Sequence, residues 1–254
     1  MNTQMKFSLG EQAGALGILA MPDSNDPDVL WAWLETTLYD ACGIQGIFYM
    51  AYPVGDSGGD IEELLERAVW KTSYPQAYLE ALPGNPLTDD RSAMHLLETG
   101  EISRWHDSEQ HALMTPGEKR RREIDAVHGM SVGACFPVRT RSGRICGGFG
   151  LRSASQDEGR FDAMLTAHSG RIGKLLDVFD EKYRSLLAKQ QYGLSPQETR
   201  VLAHLAGGMA VSRLAHEMGL SPKTIEAYMR SARQKTTSAT SAEAVAKAIF
   251  FNLV

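Results

Sequence analysis

Three start-and-stop signals follow one another between Gly193 and Val254, and they leave this stretch little choice but a set of short helices. Ser195-Pro196-Gln197-Glu198 has the residues of a capping box: a hydroxyl for an orphan amide, a Pro at the first helical position and a Glu to reach back. Val201, Leu202, Leu205 and Ala206 then recur at helical spacing until Gly207-Gly208 ends the run. Val211, Leu214, Ala215 and Met218 form a second apolar stripe, closed by Gly219. Ser221-Pro222-Lys223-Thr224 repeats the start signal for a third helix running to about Lys235, and Ser241-Ala242-Glu243 opens a fourth. Only Gly219-Leu220-Ser221 separates the second helix from the third. That is the tight turn with which a helix-turn-helix angles its recognition helix away from the scaffold.

The order L-S-P-Q-E-T-R-V-L (194–202), Gly208 and L-A-H-E-M-G-L-S-P-K-T-I-E (214–226) resembles the signature of the LuxR/NarL class of bacterial transcription regulators. Glu198, Leu202 and Gly208 fall on its most diagnostic places. The third helix also reads physically as a DNA-facing element. Ile225, Met229 and Ala232 line one side, and Lys223, Glu226, Arg230 and Arg233 share the opposite one. Lys223 and Thr224 sit in the first turn, where backbone amides and the helix dipole favour a phosphate. Arg230 can pair bidentately with a guanine edge.

Charge is divided unevenly along the chain. Residues 193–254 carry seven Lys and Arg against four Asp and Glu, about +3, so the net −5 of all 254 residues hides an acidic amino-terminal part and a mildly basic end. A +3 unit gains little from counterion release alone, which points to a homodimer reading an inverted repeat with half-sites about one helical turn apart. Ala244, Val245, Ala248 and Ile249 of the fourth helix are small or apolar enough to meet a symmetry mate, or else to cover the unit's own core.

The preceding residues mix helices and strands. Asp26-Pro27 starts a helix carrying Leu30, Trp33, Leu34, Leu38 and Ala41, and Gly43 stops it. Residues 46–52 form an aromatic and β-branched strand, and 55–60 a Gly/Asp/Ser loop. The runs 132–138 and 145–151 flank Ser142-Gly143 as a hairpin. Residues 160–190 carry one or two long amphipathic helices that lead into a linker at 181–192. The expected domains are thus 1–180, a linker over 181–192, and 193–254. A receiver domain with its acidic cluster and later strand Lys finds no match here.

Instead, Tyr74-Pro75-Gln76-Ala77-Tyr78, the fifteen-residue interval from Asp90 to Trp105, and H-G-M-S-V-G-A-C-F-P-V (128–138) before a Gly-bearing turn resemble the autoinducer-binding domain of LuxR-type quorum-sensing regulators. The family's pocket Trp is Tyr78 here, its Asp-Pro pair is Asp90-Arg91, and Asn85-Pro86 is a rival for that pair. The resemblance implies an α+β chain: an amino-terminal α/β/α sandwich with an antiparallel sheet, then an all-α four-helix helix-turn-helix domain. It also implies a small-molecule signal, an acyl-homoserine lactone. In a buried pocket the lactone's carbonyls and amide must all be satisfied. Asp90 would accept the amide N–H, and Tyr74 and Tyr78, four apart on one helix face, would serve the carbonyls. Trp105 would stack on the lactone, and Cys135 stands where the family often has Ser or Thr. Phe48, Tyr52, Trp70, Leu82 and Phe136 are candidates for the acyl wall. The alternative is a ligand-independent repressor or antiactivator that works through protein contacts, its aromatics being ordinary core.

Other chemistries find little footing. Cys42, Cys135 and Cys146 show neither a disulfide framework nor zinc spacing. His106 and His111 are wrongly spaced for a helical metal pair, and no nucleophile constellation stands out, so neither an enzyme nor a metal or other cofactor is expected. Lys119-Arg120-Arg121-Arg122 reads as a solvated helix face between Glu118 and Glu123. With no signal peptide and no apolar run of spanning length, the expectation is a cytoplasmic chain without a membrane partner.

Overall fold

The computed structural model describes residues 21–53, 67–82, 87–112 and 114–254. The loop expected at 55–60 and the Asn85-Pro86 pair lie outside them. By internal contacts the chain forms two compact units, Met1–Tyr49 with Lys71–Asp180, and Met50–Trp70 with Glu181–Val254.

In the first unit, helix α1 (Pro27–Cys42) starts where Asp26 accepts a hydrogen bond from Asp28 N, and ends at Gly43 with φ +66°. Strand β1 (Ile44–Ala51) follows at once. After β2 (Val69–Thr72) come α2 (Gln76–Glu80), a 3-10 turn at Leu87–Asp89, α3 (Arg91–Thr99), β3 (Ser103–Arg104), α4 (Ser108–His111) and α5 (Pro116–Val127). The hairpin is β4 (Gly133–Arg139) and β5 (Ile145–Ser153), antiparallel, with Phe136 opposite Phe149 and a register shift between Val138 and Arg139. The five-stranded sheet has the order β2-β1-β5-β4-β3. At four and two residues, β2 and β3 are too short for alternation to announce them.

Helices lie on both sides of this sheet. On one, the Tyr49 ring meets Phe149 at a tilt with centres 4.8 Å apart, and Phe149 meets Phe179 edge-on at 6.2 Å. The buried residues Leu30, Leu34 and Leu38 of α1 and Ile172, Leu175 and Leu176 of the long helix α6 (Glu158–Tyr192) extend the apolar core. Tyr49 also donates to Asp180 Oδ1 at 2.7 Å, which satisfies a hydroxyl inside that core. The other face of β5 is built of glycine. A methyl at Gly150 would overlap the Tyr74 hydroxyl, and one at Gly133 of β4 would come within 2.5 Å of the Leu151 carbonyl oxygen and strike the Trp105 ring. Bare backbone here admits two large rings side by side.

Helix α6 is a single 35-residue element. The expected linker at 181–192 is therefore its last stretch, because Phe179, Tyr183, Leu187 and Ala188 keep a buried stripe running through it.

The second unit contains α7 (Pro196–Ala206), α8 (Val211–Met218), α9 (Pro222–Lys235) and α10 (Ser241–Phe250). Both halves of the capping box form at Ser195 and Glu198. Gly219, at φ +64°, ends α8 in the left-handed conformation that glycine adopts without penalty. Val201, Leu202, Leu214, Ile225, Ala232, Ala244, Ala248 and Phe251 make a fully buried core. No described helix is long and apolar enough to cross a membrane.

Candidate DNA interface and polar core

Helix α9 is fixed at both ends. Ser221 accepts from Thr224 N at 3.1 Å to begin it. At its far end the fully buried Lys247 of α10 donates from Nζ to Thr236 O at 2.8 Å and Thr237 O at 2.7 Å, and pairs with Glu243 at 3.2 Å. Burial lowers the Lys247 pKa, and Glu243 opposes that fall. A Lys among small residues on an otherwise apolar stripe gave no sequence sign of this role.

With Ile225, Met229 and Ala232 turned into the core, Lys223, Glu226 and Arg230 stand exposed along the outer side of α9. Thr224 is half-buried, its hydroxyl 2.8 Å from Ser221 Oγ. Arg233 differs from its expected neighbours: its guanidinium is spent on the Ser238 and Ala239 carbonyls, which holds the turn into α10. Of the five side chains expected to face DNA, Lys223, Glu226 and Arg230 are thus exposed, and Thr224 and Arg233 are partly buried. In α10, Ala244 and Ala248 belong to the unit's own core, whereas Ile249 is 52% exposed.

The residues singled out in the amino-terminal part meet on the glycine face of the sheet. The Tyr74 ring meets Tyr78 at 6.0 Å and Trp105 at 6.2 Å, both edge-on. Trp105 Nε1 donates to Cys135 Sγ at 3.2 Å. Tyr74 precedes α2 rather than lying within it, since Pro75 starts that helix, so the two tyrosines converge through a turn and not through helical spacing. Of the proposed wall, Phe48 packs on Tyr74 at 6.0 Å. Phe136 is adjacent to Cys135 and so projects to the opposite face by strand alternation, and Trp70 is 49% exposed.

Arg121 is the group that sequence reasoning missed. Lys119, Arg120 and Arg122 are exposed as expected, but Arg121 is buried. Its Nη2 donates to the Tyr78 hydroxyl at 2.7 Å and to Asp90 Oδ2 at 3.4 Å, and its Nε to Asp125 Oδ1 at 3.1 Å. Tyr78 in turn donates to Asp125 Oδ1 at 2.8 Å. Asp90 Oδ1 is taken by Ala93 N at 3.0 Å, which caps α3. Burial alone would lower the guanidinium pKa, yet Asp90, Tyr78 and Asp125 outweigh it and raise it. Burial raises Tyr74, Tyr78, Cys135 and Asp125 alike, in the last case against the pull of Arg121. The missed signal was spacing: Glu118, Arg121 and Asp125 fall on one helix face, and Glu118 is buried beside them.

Comparison with known proteins follows the same division. Residues 192–248 match the family described as bacterial regulatory proteins, luxR family. The transcriptional regulatory protein FixJ of Azorhizobium caulinodans is 36% identical over 69 residues, 27% of this chain and 33% of that one; the chain thus spans about a third of that curated relative. Among solved structures, SdiA of Escherichia coli superposes with a TM-score of 0.54 at 14% identity, covering 93% of this chain and 94% of the other. SdiA in complex with octanoyl-rac-glycerol gives 0.52 at 12% identity, with 91% of each chain covered. At such identities the likeness is one of fold alone. Residues 192–248 thus form a helix-turn-helix domain of the luxR family of bacterial regulatory proteins.

Proposed function

We propose that this chain is a cytoplasmic transcription regulator that binds an inverted-repeat DNA site as a homodimer, under the control of a small signal molecule of acyl-homoserine lactone chemistry. The observation that carries the DNA reading is α9, capped at both ends, with Lys223, Glu226 and Arg230 exposed together on its outer side. Selection of bound duplexes from a random pool tests it. An inverted repeat with half-sites about one turn apart is expected, and salt-insensitive or absent binding would remove the reading.

Support for the signal comes from the convergence of Tyr74, Tyr78, Asp90, Trp105 and Cys135 around a glycine-floored face. An acyl amide N–H suits Asp90, a carbonyl suits the tyrosine hydroxyls, and the lactone ring suits Trp105. The second reading, a ligand-independent repressor or antiactivator, is favoured by the partners these groups already have within the chain: Asp90 with Ala93 and Arg121, Tyr78 with Asp125 and Arg121, Trp105 with Cys135. Mass spectrometry of small molecules released from the purified chain, with thermal melting against a panel of lactones, separates the two.

A further inference from the structure

Resting on the signal reading above, we infer that Arg121 is an internal competitor of the signal: it completes the polar core when no small molecule is bound, and a signal must take Asp90 from it.

A buried carboxylate and a buried phenol both need polar partners. Neither can stay unpartnered inside a packed core. Asp90 and Tyr78 are the groups whose acceptor and donor capacity an amide-and-carbonyl ligand would use. A single guanidinium meets both of them, reaching from α5 to donate to the Tyr78 oxygen on α2 and to Asp90 at the start of α3, while the Tyr78 O–H goes to Asp125. The face of Tyr78 also lies under it, with Cζ 5.5 Å from the ring centre. One side chain thereby ties three helices together across the place where a ligand head would sit.

Its three contacts are not equal. Those to Tyr78 and Asp125 are 2.7 and 3.1 Å, whereas that to Asp90 is 3.4 Å and the longest of the set. Asp90 keeps its helix-capping bond to Ala93 through the other oxygen. A ligand N–H approaching Oδ2 would therefore displace only the weakest contact, leaving Arg121 on Asp125 and the α3 cap intact. Charge points the same way. Around Arg121 stand Asp90 and Asp125, both within salt-bridge distance, with Tyr78 and, beyond them, His128 packed on the Tyr78 ring at 5.8 Å. Two carboxylates to one guanidinium favour a neutral N–H donor at Asp90 over an anionic head.

Two consequences distinguish this device from a plain structural salt bridge. The Arg121-paired state partners Asp90 and Tyr78 without a signal, and removing Arg121 weakens that state while making Asp90 more available. If the Arg121-paired form dominates the free protein by about ten to one, abolishing it tightens signal binding by up to about tenfold.

The test uses the full chain as wild type, Arg121→Gln and Arg121→Lys, the lysine variant keeping the charge should the glutamine variant not fold. Melting temperature without additive and affinity for short- and long-chain acyl-homoserine lactones are measured for each. We expect both variants to melt lower than wild type without lactone and to bind lactone about tenfold more tightly. Lactone binding by wild type that the variants do not strengthen overturns the Arg121 inference and leaves the signal reading standing. Unchanged melting of the free variants overturns it as well. Binding by none of the three proteins to any lactone overturns the signal reading and this inference with it.

Discussion

Lys235 Nζ lies 2.8 Å from Glu198 Oε2 and 3.0 Å from the Gly193 carbonyl, joining the last turn of α9 to the first turn of α7. Glu198 is only 4% exposed and also receives Ser195 N at 2.7 Å. Burial alone would raise its pKa, but Lys235, Ser231 and Ser195 together bring it down to about 2. Because the folded value lies below the ordinary one, the carboxylate stabilises the unit above the ordinary carboxylate range and loses that effect as pH falls toward about 2. Glu198→Gln should cost about 1–3 kcal/mol at pH 7, and its deficit relative to wild type should shrink as pH drops through 4. Denaturation of both proteins at several pH values checks this, and a constant deficit would contradict it.

On the outer side of α9, Arg230→Ala should abolish discrimination between a cognate and a scrambled inverted repeat, at about 1–3 kcal/mol per half-site. Lys223→Ala should weaken both duplexes together and flatten the salt dependence, since a point charge in a first turn grips phosphate whereas a guanidinium fork reads base edges. Arg233→Ala should act mainly through stability, because its guanidinium holds the Ser238 and Ala239 carbonyls. Titrations of the three variants on both duplexes, at two salt concentrations, give the comparison. Equal losses on both duplexes for Arg230→Ala and Lys223→Ala would sink the assignment.

Replacing Lys247 with Met keeps much of the buried volume but strands the carbonyls of Thr236 and Thr237 at the end of α9. A loss of about 2–3 kcal/mol is expected, with faster amide exchange across Ala232–Lys235. Exchange protection equal to wild type would show that the carbonyls find water without cost.

How far the sequence carried the reading differs between the two units, for a physical reason. The carboxy-terminal helices depend on local signals, and Ser195, Gly219 and Ser221 act within a turn of their own positions. Long-range roles were invisible there: nothing in the spacing of Lys247 or Arg233 says that each reaches backbone carbonyls in the segment joining α9 to α10. In the amino-terminal unit, α1 and the hairpin were legible from caps and alternation, whereas β2 and β3 exist only because neighbouring strands pair with them. Tyr74, Tyr78, Asp90, Trp105 and Cys135 came from a family resemblance, and the fold does gather them. Arg121 escaped because a run of four basic residues hides which one faces inward. Only Glu118 and Asp125, at three- and four-residue offsets, distinguish it from its neighbours.

Asp90 and Asp89 are adjacent carboxylates with unlike duties, and this supports the last prediction. Asp90 caps α3 through Oδ1 and meets Arg121 through Oδ2, while Asp89 packs over Gly117 at the start of α5. Asp90→Ala should lose the cap, at about 1 kcal/mol, and abolish the melting shift produced by lactones. Asn caps a helix about as well as Asp, so Asp90→Asn should recover most of the stability while its response to lactone stays weak, an amide being a poorer acceptor for the ligand N–H than a carboxylate. Asp89→Ala should change neither quantity appreciably. Melting curves of the three variants and wild type, with and without lactone, decide the matter. A full lactone response in Asp90→Asn would show that the charge at Asp90 is dispensable, and damage confined to Asp89→Ala would move the acceptor role one residue earlier in the chain.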